Sequence, residues 1–280
     1  MKIILSDGRI LATKRKSLVM GILNATPDSF FAGSRKTDLS EGVQAAKLMI
    51  DAGAEILDIG GESSRPGASY VEADEEIKRV VPLISAIREF SDVAISIDTR
   101  KALTAEAAIK AGADIINDIS ALKDDAELGF VAATYGVPVV LMHKRGNPDS
   151  MQVNPQYTDA VEEIINELEL CIGRAHSFGI NKDKIIIDPG IGFGKRLEDN
   201  LLILNNLSRF KALGYPMLIG LSRKSFLGAI TGAQVENRLS GSIAANMYSA
   251  MHGADILRVH DVTDTMWMLD IISAIEGAGR

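Results

Sequence analysis

Cysteine is nearly absent from this chain, with Cys171 the single example among 280 residues. One thiol can make neither an internal disulfide nor a multi-cysteine metal site, and its place in the helical run ELELCIGRAHSFG reads as structural. There is no HExxH motif and no Cys/His cluster, which argues against structural zinc. Positive charge is not in excess: 30 Lys plus Arg stand against 37 Asp plus Glu, a net charge of −7. No global basic field therefore gathers nucleic acid or an anionic membrane, and an anionic ligand must be held by local groups. No uninterrupted run of 18 apolar residues exists, and after Met1-Lys2 only three apolar residues precede Ser6-Asp7-Gly8, too few for a secretory core. The expectation is a cytoplasmic protein without a membrane partner. Pro/Ser-rich linkers, low-complexity runs and shifts in composition are missing too, which favours one domain.

What is present is apolar content, 46% of the chain, enough for a large core in one α/β barrel or two smaller domains. Residues 1–17 hold an Asp7-Gly8 turn between short apolar runs, a hairpin signal, and then the basic Lys14-Arg15-Lys16. From residue 18 to 280, strand-like runs alternate with longer helical stretches, the pattern of parallel βα units. The runs are 18–23, 56–59, 93–97, 115–116, 137–142, 185–187, 217–221 and 256–259. An internal repeat supports them: Gly-Ala plus an acidic residue precedes a strand at Gly53-Ala54-Glu55, Gly112-Ala113-Asp114 and Gly253-Ala254-Asp255. Each glycine fits the left-handed position that ends a helix. The stretches 39–52 and 104–111 read as helices with Ser40 and Thr104 available as caps. Eight βα units in one domain predict a TIM (β/α)8 barrel preceded by an N-terminal β-hairpin.

In that fold the active site is built at the C-terminal ends of the strands. The clearest such end is KIIIDPGIGFGK (184–195), where three isoleucines form a buried strand, Asp188 ends it, and Gly190, Gly192 and Gly194 open a loop that can approach a ligand. Taken alone, Asp188 reads equally as a helix cap. The other strands also end in polar chemistry: Asn24, then Gly60-Gly61-Glu62, Asp98, Asn117-Asp118, His143, Ser222-Arg223-Lys224-Ser225, and Arg258 with His260. Polar ends in register point to one convergent pocket. Asp188, Asn117 and Lys224 could read a planar heterocycle with adjacent N–H donors and a carbonyl. Arg258, His260, Asn24 and Arg65 could hold phosphate, alone or through a metal, and an oxygen-rich site suits Mg²⁺. His176 and His252 read as surface or capping residues, and Asp74-Glu75-Glu76 as a solvated helix start.

These residues fall in motifs that resemble the dihydropteroate synthase family over nearly the whole chain. They are MGILNATPDSF (20–30), GGESSRPG (60–67), SIDT (96–99), NDIS (117–120), MHKRGNP (142–148), DPGIGFGK (188–195), GLSRKSFLG (220–228) and RVHDV (258–262). The resemblance implies condensation of 6-hydroxymethyl-7,8-dihydropterin diphosphate with p-aminobenzoate on a TIM barrel with Mg²⁺. It places the pterin against Asp98, Asn117, Asp188 and Lys224, the diphosphate against Asn24, Arg65, Arg258 and His260, and Mg²⁺ on Asn24. The p-aminobenzoate falls near Ser64, Pro66, Phe193 and Ser225, and Asp98, Lys224, Arg258 and His260 carry the catalysis. Two departures stand out: Ala32 where the family has an Asp, and Ser64 where it usually has Thr. The rival readings are a related pterin-binding methyltransferase, which has no use for Arg258, His260 or the Lys224-Ser225 pair, and a pterin-binding protein without catalysis, supported only by Ala32. The family is commonly dimeric through late helices, and the stretch 265–275 is apolar on more than one face, so a homodimer is expected.

Overall fold

Each of the eight predicted apolar runs forms a strand in the computed structural model, which describes residues 2–25, 35–63, 70–146, 151 and 155–278. A hairpin comes first, β1 (Ile3–Ile4) paired antiparallel with β2 (Ile10–Leu11). The barrel strands are β3 (Leu18–Asn24), β4 (Ile56–Gly60), β5 (Ala94–Asp98), β6 (Ile115–Asp118), β7 (Val139–Met142), β8 (Ile185–Asp188), β9 (Leu218–Gly220) and β10 (Ile256–Val259). All are parallel in the order β8-β7-β6-β5-β4-β3-β10-β9, and a parallel bridge from Ile187 to Met217 joins the two ends into a ring. The helices are α1 (Arg35–Asp51), α2 (Ala73–Arg88), α3 (Ala102–Ala111), α4 (Glu127–Tyr135), α5 (Ala160–Ser177), α6 (Leu197–Asn205), α7 (Leu207–Lys211), α8 (Ser225–Thr231), α9 (Leu239–Met251) and α10 (Val262–Gly277). The chain is a TIM barrel with a small N-terminal hairpin.

Because side chains alternate across a strand, each apolar run serves two cores. Val19, Leu57, Ile95, Ile116, Val139, Ile219 and Leu257 face the helices. Leu18, Met20, Ile56, Ala94, Ile115, Val140, Ile186, Leu218 and Ile256 fill the floor of the barrel together with Ile3 and Leu5 from the hairpin segment. The hairpin is thereby a plug, further tied by Lys184, whose ammonium donates to the carbonyls of Ile4 at 2.7 Å and Leu5 at 3.1 Å.

The Gly-Ala-acid repeat has one physical role in all three copies. Gly53, Gly112 and Gly253 sit at φ of 99°, 117° and 102°, where only glycine turns a helix end without strain. The acidic residue then makes a reciprocal pair with the preceding strand. The Glu55 N–H donates to the Val19 carbonyl at 3.0 Å, and the Val19 N–H returns a bond to the Glu55 carboxylate at 2.8 Å. Asp114 does the same with Ile95 at 2.7 and 2.9 Å, and Asp255 with Met217 at 2.8 Å each way. Burial lifts the Glu55 and Asp114 carboxyls above the usual range.

Three local expectations are corrected. Ser40 lies inside α1, which starts at Arg35 and not at 39. Thr104 is likewise inside α3, with its buried hydroxyl donating to Glu76 at 2.9 Å; the cap comes from Asp125, which accepts from the Ala102 N–H at 2.7 Å. Glu76 is not solvated but fully buried. At Thr104 and Glu76 tertiary partners override the local signals, because a polar residue that finds a buried bond is removed from the competition for helix ends.

Replacing Asp114 by Ala should lower the unfolding free energy by about 1–3 kcal/mol, the cost of stranding the buried Ile95 N–H. Urea denaturation measures it. The residue lies at the N-terminal end of the barrel, so turnover should not change, and an activity loss without a stability loss would overturn this assignment.

Candidate active site

Moving up each strand by two residues keeps to the same face, and the inward series changes from apolar to polar on the way. Ile56 is followed by Asp58, Ala94 by Ser96 and Asp98, Ile115 by Asn117, Ile186 by Asp188, and Ile256 by Arg258. The register sets Asp98 beside Asn117 and Gly60, and Asp188 beside Met142, at one end of the ring.

Arg258 ties these groups together. Its Nε donates to Asp58 Oδ2 at 2.5 Å and its Nη2 to Asp98 Oδ2 at 2.6 Å, while Asn117 Nδ2 donates to the same Asp58 oxygen at 3.1 Å. Burial alone would lower the Arg258 pKa, but the two carboxylates outweigh it and hold the group above its ordinary value, permanently charged. Asp98 is pushed up to about 7, chiefly by burial, with Asp58 adding to the rise and Arg258 opposing it. Asp58 is the residue that sequence reasoning missed. It is fully buried, and its signal was a lone carboxylate at an inward position within an otherwise apolar strand. Asp58 Oδ1 and the neighbouring Ser96 Oγ have no hydrogen-bond partner among the described residues.

The second half of the site is the glycine loop after β8. Asp188 Oδ1 accepts from the Gly190 N–H at 2.7 Å, so this carboxylate does brace its own turn. The loop lies flat on the end of β7: a Cβ at Gly190 would come within 1.9 Å of the His143 carbonyl oxygen, and one at Gly194 within 2.1 Å of that of Arg145. Lys195, buried and also missed from sequence, pins the loop by donating to His143 Nδ1 at 2.9 Å and to the carbonyls of Phe193 at 3.1 Å and His143 at 3.3 Å. His143 is therefore beneath the loop rather than in the pocket. Burial and the Lys195 charge lower it to about 4, leaving a neutral ring that donates from Nε2 to Glu167 at 3.1 Å.

Lys224 approaches the same loop from the other side. Its ammonium donates to the Ile191 carbonyl and lies 4.7 Å from the centre of the Phe193 ring. Burial lowers Lys224 to about 8, against the pull of Asp188, and burial raises Asp188 against the pull of Lys224. The preceding Arg223 takes φ of 57°, held by Asp261 at 2.6 and 3.1 Å. On its other side Ser222 Oγ bonds His260 Nδ1 at 3.0 Å and accepts from the His260 N–H at 3.2 Å.

Of the remaining candidates, Asn24 is half-buried at the end of β3, opposite Gly60, and Phe193 is half-buried. Ser225 is exposed as the first residue of α8. Ala32, Ser64, Arg65 and Pro66 lie outside the described residues. Asp118 spends both oxygens on its own loop, accepting from Ser120 and Leu122 at 2.6–2.7 Å. His176 and His252 bond local carbonyls, those of Ile180 at 2.9 Å and Tyr248 at 2.7 Å, away from the site. Cys171 is buried and free. No group of three or more His, Cys, Asp or Glu side chains that could cage a metal occurs among the described residues. Asn24 offers one neutral oxygen, a donor set that fits an ion taking most of its ligands from phosphate and water, as Mg²⁺ does.

The sequence matches the family model described as "Pterin binding enzyme" over residues 20–260. It is 49% identical over 250 residues to a dihydropteroate synthase of Clostridium beijerinckii, covering 89% of this chain and 90% of that one. Its structure superposes on the Yersinia pestis dihydropteroate synthase solved with a sulfonamide drug complex, at a TM-score of 0.92 and 41% identity, covering 99% of this chain and 100% of that one. The Xanthomonas albilineans dihydropteroate synthase in complex with 7,8-dihydropteroate gives 0.89 and 39%, with coverage of 99% and 100%. A polar ring at the mouth of a closed barrel, motif order and near-complete coverage agree: this chain belongs to the dihydropteroate synthase family of pterin-binding enzymes.

Proposed function

We propose that the protein condenses 6-hydroxymethyl-7,8-dihydropterin diphosphate with p-aminobenzoate, releasing diphosphate and giving 7,8-dihydropteroate. The observation that carries this is the convergence of Asp98, Asn117, Asp188, Lys224 and Arg258 at one barrel mouth, a set with carboxylate and amide acceptors for ring N–H groups and cations for a carbonyl and an anion. Dihydropterin diphosphate, p-aminobenzoate and Mg²⁺ added to the purified protein should release diphosphate, and no release would refute the activity.

The reaction forms a bond from the arylamine nitrogen to the pterin methylene and breaks the methylene bond to the diphosphate oxygen; the amine then loses a proton. An uncharged arylamine needs no protein nucleophile, in keeping with a chain that has no Ser/His/Asp arrangement in its motifs. Asp188, Asn117 and Lys224 hold the pterin ring. Asp98, partly ionised near neutral pH, stabilises positive charge that develops on the ring and methylene as the leaving group departs. Arg258 and His260 face the diphosphate and, with Arg65, oppose its growing negative charge. Each such contact is worth ~3–4 kcal/mol in the transition state. Asn24 would hold a Mg²⁺ shared with the diphosphate, which when bound would neutralise charge on the leaving group. Ser64, Pro66, Phe193 and Ser225 receive p-aminobenzoate. The enzyme works as a homodimer, supported by the exposed stripe Trp267, Ile271 and Ile275 on α10, at 63%, 61% and 69% exposure.

Asp188→Ala should cost roughly 2–5 kcal/mol of pterin affinity, in the range found when one partner of a buried charged pair is truncated. Titration calorimetry with a non-reactive pterin reads it, and unchanged affinity would remove Asp188 from the pocket. Asp98, Asn117 and Asp188 stand on strands, whereas Phe193 stands on the glycine loop after β8, so binding should be ordered. Labelled p-aminobenzoate should bind weakly to the free protein and much more tightly once pterin, diphosphate and Mg²⁺ are present; equal affinity would sink the order. Light scattering at micromolar concentration should return twice the chain mass, and a monomer mass would rule out the dimer.

A further inference from the structure

Arg223 lies in the turn between β9 and α8 with φ of 57°, in the left-handed region that a residue with a side chain enters only at a cost. Three groups hold it there. Its N–H donates at 2.9 Å to Ser242 Oγ on α9, its carbonyl accepts at 3.1 Å from Arg238 Nη1 just before α9, and its guanidinium pairs with Asp261 in the turn between β10 and α10. Arg238 is itself fixed. Its Nε donates to the Ala233 carbonyl at 3.0 Å, and its own carbonyl accepts from the Ser242 hydroxyl at 2.9 Å. Its guanidinium lies against Gly228, where a Cβ would come within 2.3 Å of Nη2. Gly228 closes the motif GLSRKSFLG in the middle of α8, without a positive φ, at a position where alanine would serve a helix better. The space it leaves is taken by Arg238.

The residues on either side of Arg223 belong to the site. Ser222 Oγ bonds the His260 ring at 3.0 Å, and the Lys224 ammonium reaches the Ile191 carbonyl of the glycine loop. The backbone at 223 sets the direction in which the chain leaves the turn, so a relaxed Arg223 would carry Lys224 off the loop. We propose that Arg238 is a positioning residue for the pterin: seated on Gly228, it holds the Arg223 carbonyl and, with Ser242 and Asp261, keeps that residue left-handed so that Lys224 is aimed at the ring. This role rests on the pterin site proposed above. If part of the population relaxes, apparent pterin affinity falls to the fraction still in the competent conformation.

The test is titration calorimetry with a pterin lacking the diphosphate. Gly228→Ala presses a methyl group onto the Arg238 guanidinium, and Arg223→Ala loses the Asp261 bond while keeping the left-handed penalty. Each should weaken pterin binding about tenfold, which is ~1.4 kcal/mol and lies within the cost of a left-handed residue with a side chain. Arg223→Gly loses the same bond but carries no such penalty. It should stay within about threefold of wild type and, added to Gly228→Ala, should restore most of the lost binding. A merely structural role predicts no such rescue, because a further glycine adds unfolded-state entropy and repairs nothing. Unchanged affinity in Gly228→Ala, or a loss that Arg223→Gly leaves in place, overturns the proposal. If Gly228→Ala does not fold, Arg223→Ala against Arg223→Gly decides it, and equal affinities overturn the proposal. Wild-type protein that binds no pterin refutes the pterin site and this role with it; wild type that binds, with unshifted variants, refutes this role alone.

Discussion

Arg258 puts a permanent positive charge inside the mouth of the barrel, and much of the upper structure is arranged so that this charge is matched. Its two partners, Asp58 on β4 and Asp98 on β5, come within reach because β10, the last strand in the chain, pairs with β3, the first of the barrel. A buried cation with one partner missing is far more costly than either a complete network or none. Asn117 completes the set by donating to the Asp58 oxygen that Arg258 also uses, which turns its own carbonyl oxygen away from the carboxylate. A substrate therefore meets donors and acceptors already oriented, and the expense of orienting them is met during folding.

The two ends of the barrel divide the work. At the N-terminal end, the Gly-Ala-acid repeats and the hairpin plug pair backbone groups and fill the floor, and their carboxylates are spent on strand N–H groups. At the C-terminal end, carboxylates of the same kind point inward, gathered around cations. The chemistry differs because the geometry differs: an acidic residue just before a strand reaches a neighbouring strand's backbone, while one above the floor faces into the barrel mouth, toward other side chains and, for Asp188, its own loop.

The glycine loop shows how little freedom the site has. Gly190 and Gly194 have no room for a side chain, Lys195 spends its ammonium on the loop carbonyls and His143, and Lys224 reaches in to the Ile191 carbonyl. Phe193 is thereby held against Lys224, joining the proposed pterin side of the pocket to the proposed p-aminobenzoate side.

Taken by itself, the sequence determined the strand count, the barrel and the residues at the strand ends, because short apolar runs, glycine helix stops and polar strand ends are local signals. Asp98, Asn117, Asp188, Lys224 and Arg258 were all legible in that way. Asp58, Lys195 and the Glu76–Lys101 pair were not. Asp58 carries only the faint signal of a lone carboxylate in an apolar strand, while Lys195 past a loop and Glu76 in an acidic helix start have nothing local to distinguish them from ordinary surface or capping residues. Only the tertiary structure decided their role, since whether a charge is solvated or buried against a partner 25 or 200 residues away depends on how the ring closes and not on its neighbours in the chain.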